Sequence, residues 1–398
     1  MKLPLEKATE ILVEKIVPGG QALGTISGKK IFLWNALPGE TVKTLLLTKE
    51  KSSFLEGIAL DIENPSPSRV TPKDPCYLST SPWQIFDYSF ELTEKRLLVL
   101  ESLREEKIPL ENLEISPVKT DGKEWHYRNK MEYSLFWDNE KNCIFPGFHV
   151  RGTHKKLKVA KSSIERPELF ETAKTIISSL NSAHEPARNY QSLLLRCDQK
   201  ETVSGGLYKN HAPHPSFSPL SDSLLGKTYS YSPNGFFQIN LPVYELALKE
   251  IKSYIKTEKV LDLYSGVGSI GLSVASDKSL TLVESNKDAF SELEKNCAKI
   301  KTATPVLSKS EEALSFISPE ETVILDPPRA GCDKKLIEKL LEEVPEKIIY
   351  LSCNPSTQAR DLKHLLKSYD IEKISPYNFF PKTPHIENLV ILSRHKSI

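Results

Sequence analysis

The stretch Val260-Leu261-Asp262-Leu263-Tyr264-Ser265-Gly266-Val267-Gly268-Ser269-Ile270-Gly271 decides the fold. An apolar run of strand length, Val260 to Tyr264, leads into a GxGxxG turn, where glycines let the backbone reverse sharply and approach a bound nucleotide. Outward from it the rhythm repeats. Leu280 to Glu284, Thr322 to Leu325 and Lys347 to Ser352 are further apolar runs, with helical patterns between them at 289–299, 334–343 and 357–366. Strands separated by helices of that size imply βαβ units, hence a parallel sheet covered on both faces. Ligands on such sheets bind at the carboxyl ends of the strands, where the chemically expressive residues of this chain also fall.

The rest of the chain is organised differently. Residues 10 to 62 are short apolar stretches broken by Pro18-Gly19-Gly20, Ser27-Gly28 and Leu37-Pro38-Gly39-Glu40, with strand-like runs at Ile31–Trp34 and Thr41–Leu47. This spacing predicts a small β-barrel. A linker follows, Asn64-Pro65-Ser66-Pro67-Ser68 with Thr71-Pro72 and Asp74-Pro75 behind it. The middle third mixes an amphipathic helix at 92–106 with a strand-like stretch from Arg128 to Trp137. We expect three domains: a barrel over 1–66, an α+β domain over 67–230 and a Rossmann-like α/β domain over 231–398.

A chain of 398 residues, 39% hydrophobic and 26% charged, belongs to the globular class. The formal net charge of +1 gives no global sign of a polyanionic partner, so such a partner must be met by a local patch. One candidate is 141–164, which contains no Asp or Glu but carries Lys141, Arg151, Lys155, Lys156, Lys158 and Lys161, with Phe145, Phe148, His149 and His154 among them. No apolar run approaches membrane-spanning length and the N-terminus lacks a signal-peptide stretch, so we expect a cytoplasmic protein with no membrane partner. The six cysteines are scattered without a CxxC pair, which fits a reducing compartment and indicates no zinc.

Taken alone, GxGxxG does not separate a dinucleotide enzyme from a methyltransferase. Glu284 ends the second strand, where a carboxylate can accept from both ribose hydroxyls. Asp262 lies inside the first strand; it is either a turn former or an acid that meets the cationic methionine end of S-adenosylmethionine and repels a pyrophosphate. Asp326, in Leu325-Asp326-Pro327-Pro328-Arg329, adds a second acid to the same crevice. Cys353 follows the strand 347–352 and precedes Asn354-Pro355. It is either a buried thiol or a nucleophile whose pKa a helix N-terminus lowers. Glu387 and His385 stand before the apolar run 388–393, as candidate bases or as loop residues.

The ordered set Phe236-Phe237-Gln238-Ile239-Asn240, 260–271, Asp326-Pro327-Pro328-Arg329, Ser352-Cys353-Asn354-Pro355 and His385-Ile386-Glu387-Asn388 resembles the bacterial RNA 5-methyluridine methyltransferases, most strongly over 230–398. Residues 1 to 66 resemble the TRAM RNA-binding barrel of the members acting on 23S ribosomal RNA. The resemblance implies a class I methyltransferase fold and S-adenosylmethionine as methyl donor. It implies a target uridine flipped out of the RNA fold. It makes Cys353 the nucleophile and Glu387 the proton-abstracting base. Gln238, Tyr264, Glu284 and Asp326 match its cofactor contacts, and Arg128 and Lys130, in Tyr127-Arg128-Asn129-Lys130, match a basic motif that could hold RNA phosphate.

That chemistry explains the thiol. Carbon 5 of uracil is a poor nucleophile until a thiolate adds at carbon 6 and turns the ring into an enolate. Many ribosomal members carry an iron–sulfur cluster on four cysteines. Here Cys76 matches one of them, whereas Ser79-Thr80-Ser81-Pro82 and Ser162-Ser163 stand where the others would be. One thiol cannot hold a four-ligand cluster, so we expect none. The alternatives are a transfer-RNA T-loop enzyme of the same chemistry, a non-catalytic RNA-binding module, and a nicotinamide-dependent reductase. The last leaves Cys353 and Glu387 unexplained. No obligate protein partner is indicated.

Overall fold

The computed structural model describes residues 5–111, 113–153, 155–159, 162–212 and 215–395, with the backbone alone over 5–9. The first layer is a closed barrel of β1 (Leu5–Ile16), β2 (Ala22–Ile26), β3 (Lys29–Trp34), β4 (Thr41–Glu50) and β5 (Phe54–Glu63), in the order β1-β2-β3-β5-β4 with β4 returning to β1. Alternation along the strands turns Ile11, Val13, Ile31, Leu33, Val42 and Leu45 into its core. Closure removes the free edges that five short strands would otherwise expose. Arg69 ties the linker to the barrel. Its guanidinium holds the fully buried Glu40 through two hydrogen bonds of 2.6 and 2.7 Å, the planar fork matching the carboxylate.

After the single turn α1 (Tyr77–Thr80) comes α2 (Tyr88–Glu105), started by Asp87, whose side chain accepts from the Phe90 amide at 2.9 Å. This helix buries Val99 and Leu103 against the C-terminal sheet. The chain beyond it continues beside that sheet, with bridges Ile115↔Ile374 and Lys119↔Tyr377.

Next along the chain comes an antiparallel sheet. Its strands are β6 (Lys130–Asp138), β7 (Cys143–His149), β8 (Lys156–Lys158), β9 (Tyr190–Cys197) and β10 (Val203–Lys209), in the order β10-β9-β6-β7-β8. The helix α3 (Pro167–Ser182) covers one face with Leu169, Ala173, Ile177 and Leu180, which share a helical face. Where the resemblance would place cluster ligands, a buried polar knot joins the linker to this domain. Asp74 accepts from the Ser163 amide at 2.8 Å, the Ser163 hydroxyl at 2.7 Å and Gln84 Nε2 at 2.7 Å, and Gln84 also donates to Ser81 at 2.7 Å. Among the described residues no group of three or more His, Cys, Asp or Glu is placed to hold a metal ion.

The hairpin β11 (Leu220–Leu224) and β12 (Lys227–Tyr231) packs into the C-terminal core through Leu220, Leu224, Tyr229 and Tyr231. The C-terminal layer then runs α4 (Leu241–Tyr254), β13 (Lys259–Leu263), α5 (Gly271–Ala275), β14 (Ser279–Glu284), α6 (Lys287–Cys297), β15 (Ala303–Leu307), β16 (Glu321–Leu325), α7 (Lys334–Glu343), β17 (Lys347–Ser352), α8 (Pro355–Leu365), β18 (Tyr369–Tyr377) and β19 (Glu387–Arg394). Its seven strands are ordered β15-β14-β13-β16-β17-β19-β18. Helices cover both faces, so the strands are apolar in both directions. Ile348 and Tyr350 face one core, Ile349 and Leu351 the other.

The expected Rossmann-like architecture is present, with one correction to the sheet. Five strands are parallel, but β19 is antiparallel to β17 and β18 antiparallel to β19. The chain after β18 turns back within 378–386 and slots β19 in beside β17, which the hydrophobic pattern alone does not reveal because a buried strand reads the same in either direction. Among the described residues no helix is long and apolar enough to cross a membrane.

Candidate active site

The antiparallel insertion of β19 builds the site. Ser352 pairs with Asn388, so the residue after β17, Cys353, is set beside the residue that opens β19, Glu387. Two side chains lock this register. Gln358 on α8 donates to the carbonyls of Tyr350 at 2.9 Å and Asn388 at 3.0 Å, and accepts from Asn388 Nδ2 at 2.7 Å. Cys353 itself sits between β17 and α8, whose first position is Pro355 and whose cap is Asn354. Asn354 Nδ2 and Thr357 Oγ1 both donate to the carbonyl of Arg329, at 2.9 and 3.1 Å, and so fix the Asp326–Arg329 turn against the same helix end.

The electrostatics correct one expectation. A helix N-terminus alone would lower the Cys353 pKa, yet the thiol is pushed up to about 11. Burial is the largest cause, followed by the facing acids Glu387 and Asp326, while Arg329 opposes them and donates a hydrogen bond to the sulfur. The acids move too. Burial pushes Asp326 up to about 7. Glu387 is held well above the carboxylate range by burial and then by Asp326, with Arg329 pulling the other way. His385 lies at the mouth with its ring edge-on to Phe380; desolvation, then the cations Arg329, Lys95, Arg128 and Arg151, lower its pKa.

A free-protein consequence is testable by alkylation. A thiol near 11 has about a hundredth of the thiolate of one near 9, partly offset by greater nucleophilicity. Cys353 is therefore expected to react with iodoacetamide about tenfold more slowly than an unperturbed thiol at pH 7.5, its rate rising about tenfold per pH unit through pH 9. Peptide-resolved mass spectrometry would read this. A rate already flat above pH 7 would mean that the thiolate preexists.

The glycine turn sits across the sheet from the thiol. Asp262 is fully buried and accepts from the Gly271 amide at 2.8 Å, and a Cβ on Gly271 would lie 2.6 Å from that carboxylate. The third glycine thus makes room for the acid. The other carboxylate oxygen of Asp262 is buried with no hydrogen-bond partner among the described residues, and burial pushes its pKa up to about 8, with Asp326 and Glu284 adding to the rise. Glu284 spans two turns, accepting from the amides of Gly266 at 2.8 Å and Asn286 at 2.6 Å. Tyr264 takes a left-handed φ of 63° at the end of β13, an uncommon conformation for a side-chain-bearing residue. An acidic crevice with an unpartnered buried oxygen fits a ligand bearing cationic groups and disfavours a pyrophosphate.

Gln238 is buried, and the central sheet holds the loop that carries it. Asn129 Nδ2 and Arg196 donate to the Gln238 carbonyl at 3.3 and 3.2 Å, while Lys130 Nζ donates to the carbonyls of Asn234 and Gly235, both at 3.0 Å. Lys130 is thus engaged with backbone, and burial lowers its pKa to about 8. Arg128 Nε donates to the Lys130 carbonyl at 3.0 Å. Of the acid-free strip, Lys141, Lys155, Lys156 and Lys158 are exposed, whereas Arg151 lies over the Trp34 ring of the barrel, 4.3 Å from its centroid. Lys161 and His154 fall outside the described residues. Arg329 is the site residue that motif reading passed over, although it stands in the quoted Asp326-Pro327-Pro328-Arg329.

Residues 313–395, which carry Asp326, Cys353 and Glu387, match the family described as tRNA (Uracil-5-)-methyltransferase. The chain is 27% identical to an "Uncharacterized RNA methyltransferase" of Bacillus anthracis, with 98% of each chain covered. It is 26% identical to one of Lactiplantibacillus plantarum, with 100% of each covered. Among solved structures, the tRNA (uracil-54, C5)-methyltransferase of Pyrococcus abyssi in complex with S-adenosyl-L-homocysteine has the same fold, with a TM-score of 0.75 at 23% identity over 96% of this chain and 100% of that one. Over 313–395 the chain is thus similar to the RNA uracil-5-methyltransferase family, and over nearly its whole length to RNA methyltransferases.

Proposed function

We propose that this enzyme methylates carbon 5 of a uridine in RNA, using Cys353 as covalent nucleophile and Glu387 as base. The observation that carries the reading is the Ser352↔Asn388 register, which sets a thiol and a carboxyl group beside one another with Arg329 at the sulfur. S-adenosylmethionine, when bound, supplies an electrophilic methyl group. Asp262, Glu284, Asp326, Gln238 and Tyr264 would hold it, the unpartnered oxygen of Asp262 being the fit that favours a cationic ligand.

The chain's own residues carry the remaining steps. Cys353 gives its proton to solvent water and its sulfur adds to carbon 6 of uracil; the ring electrons move onto the carbon-4 oxygen to give an enolate with a nucleophilic carbon 5. Arg329 offsets the negative charge at the sulfur. After carbon 5 has taken the methyl group, the Glu387 carboxylate removes the carbon-5 proton, the carbon 5–carbon 6 double bond re-forms and the carbon–sulfur bond breaks. A carboxyl group with a raised pKa is a stronger base once ionised, which suits proton removal from carbon.

For the substrate we put 23S ribosomal RNA first, on the barrel's likeness to the TRAM module, and place the enzyme in the cytoplasm. The exposed lysines of 155–158 supply backbone affinity without naming a sequence. The transfer-RNA reading is favoured by the family description and by the substrate named for the Pyrococcus enzyme. Mapping 5-methyluridine in ribosomal and transfer RNA from a deletion strain separates them. Loss at a 23S uridine is expected. Loss confined to the T-loop would transfer the assignment to transfer RNA, and no loss in either would overturn the function.

A further inference from the structure

The turn between β1 and β2 of the barrel reaches the active site. Pro18 and Gly19 line a cavity of about 290 Å³ together with Arg329, Cys353, His385 and Ile386. The next residue, Gly20, has a left-handed φ of 85°, and a Cβ there would lie 2.0 Å from Cβ and 2.7 Å from Cγ of Pro384. Trp83, itself buried, bridges the two sides: its Nε1 donates to the Gly20 carbonyl at 2.9 Å and its amide donates to the Lys382 carbonyl at 3.1 Å. Thus Pro18 and Gly19 line the thiol cavity, and Gly20 meets Pro384 at closer range than any side chain would permit.

We propose that Pro18 and Gly19 form one wall of the compartment in which the target nucleotide stands over Cys353, and that Gly20 is a positioning residue that seats the Pro384–Glu387 segment. This rests on the uridine-methylating function proposed above. The barrel then has two jobs of different kind. Any contact it makes with RNA backbone adds affinity, whereas its β1–β2 turn sets where the base and Glu387 sit. An error of position near reacting atoms is felt in the chemical step more than in binding. A barrel that merely held RNA would affect the KM for RNA and leave kcat alone.

Two glycines of the barrel make the test specific. Gly28, in the β2–β3 turn, has a similar φ of 77° with nothing within 4 Å of an added Cβ. Gly28→Ala therefore shares the backbone strain of Gly20→Ala without the collision. With labelled S-adenosylmethionine and total RNA from a deletion strain, Gly20→Ala is expected to lower kcat about a hundredfold with the KM for RNA within about twofold of wild type. Gly28→Ala should stay near wild type. Pro384→Gly added to Gly20→Ala removes the struck atoms and should restore kcat at least about tenfold. Equal kcat for Gly20→Ala and Gly28→Ala, or no recovery in the double variant, overturns the positioning role.

Should Gly20→Ala not fold, Gly19→Leu against Gly28→Leu tests the wall. Gly19 lines the cavity and has nothing within 4 Å of an added Cβ, so a larger side chain there meets open space and not packed protein. Alkylation of Cys353 by N-phenylmaleimide should be at least about tenfold slower in Gly19→Leu than in Gly28→Leu. Equal rates overturn the wall. This readout needs no RNA: if wild type methylates no uridine the proposed function falls, while the alkylation rates still decide whether the turn closes the cavity.

Discussion

Cys353→Ala is expected to lose RNA methylation by at least about ten-thousand-fold, a barrier increase of roughly 5 kcal/mol, while keeping its fold. On the proposed route the sulfur is the group that makes carbon 5 nucleophilic. Asp326 and Glu387 are carboxyl groups with raised pKa values, and Arg329 is a cation. The side chain is partly exposed at the junction of β17 and α8, so truncation costs about 1 kcal/mol of stability or less. Thermal unfolding should therefore move little, and calorimetric titration with S-adenosylhomocysteine should still show binding. Undiminished methylation by this variant would remove the covalent route.

Glu387→Gln is expected to accumulate a covalent RNA–protein adduct resistant to denaturing electrophoresis, with turnover reduced about a thousandfold. The amide matches the carboxyl group in shape but cannot take the carbon-5 proton, so the methylated adduct has no exit. The formation step should not slow. Glu387 is one of the acids that raise the Cys353 pKa, and replacing it by a neutral group brings the thiol down from about 11 and increases the thiolate available. Stability should follow the same electrostatics. A carboxyl group whose folded pKa exceeds its unfolded one disfavours folding as pH rises above the unfolded value, so at pH 8 the Gln variant should unfold at the same temperature as wild type or a higher one. Free turnover without adduct would assign the proton to another base, and His385 would then be the residue to replace.

Much of the architecture was legible because its signals are local. The run 260–264 followed by Gly266, Gly268 and Gly271 is a strand, a turn and a helix start wherever it occurs, and the observed β13 and α5 follow it. Short apolar runs broken by turn residues exposed the barrel, and the pattern over 334–343 coincides with α7. The strands β15 and β18 were not anticipated. Ala303–Leu307 is a short edge strand containing Pro305, and Tyr369–Tyr377 is interrupted by charges at 370, 372 and 373, so neither carries a clean period.

The thiol shows where sequence stops. Its chemical type, its place after an apolar strand and the helix starting at Pro355 were all readable, and they pointed to a depressed pKa. The rise comes first from burial and then from Glu387 and Asp326, 34 and 27 residues away along the chain, which reach Cys353 because β19 runs antiparallel on one side of β17 and β16 parallel on the other. In the same way Pro18-Gly19-Gly20 read as turn residues, since a turn is what their backbone freedom prescribes locally. That the turn abuts Pro384 and lines the Cys353 cavity depends on how the barrel docks, a contact between segments more than 360 residues apart. By itself, then, the sequence determined the apolar strands around the glycine turn, the turn itself and the set of candidate groups, because these are properties of residues and their neighbours. Tertiary structure alone decided which acids face the thiol and which wall encloses it, because electrostatic coupling and steric contact depend on distance in space.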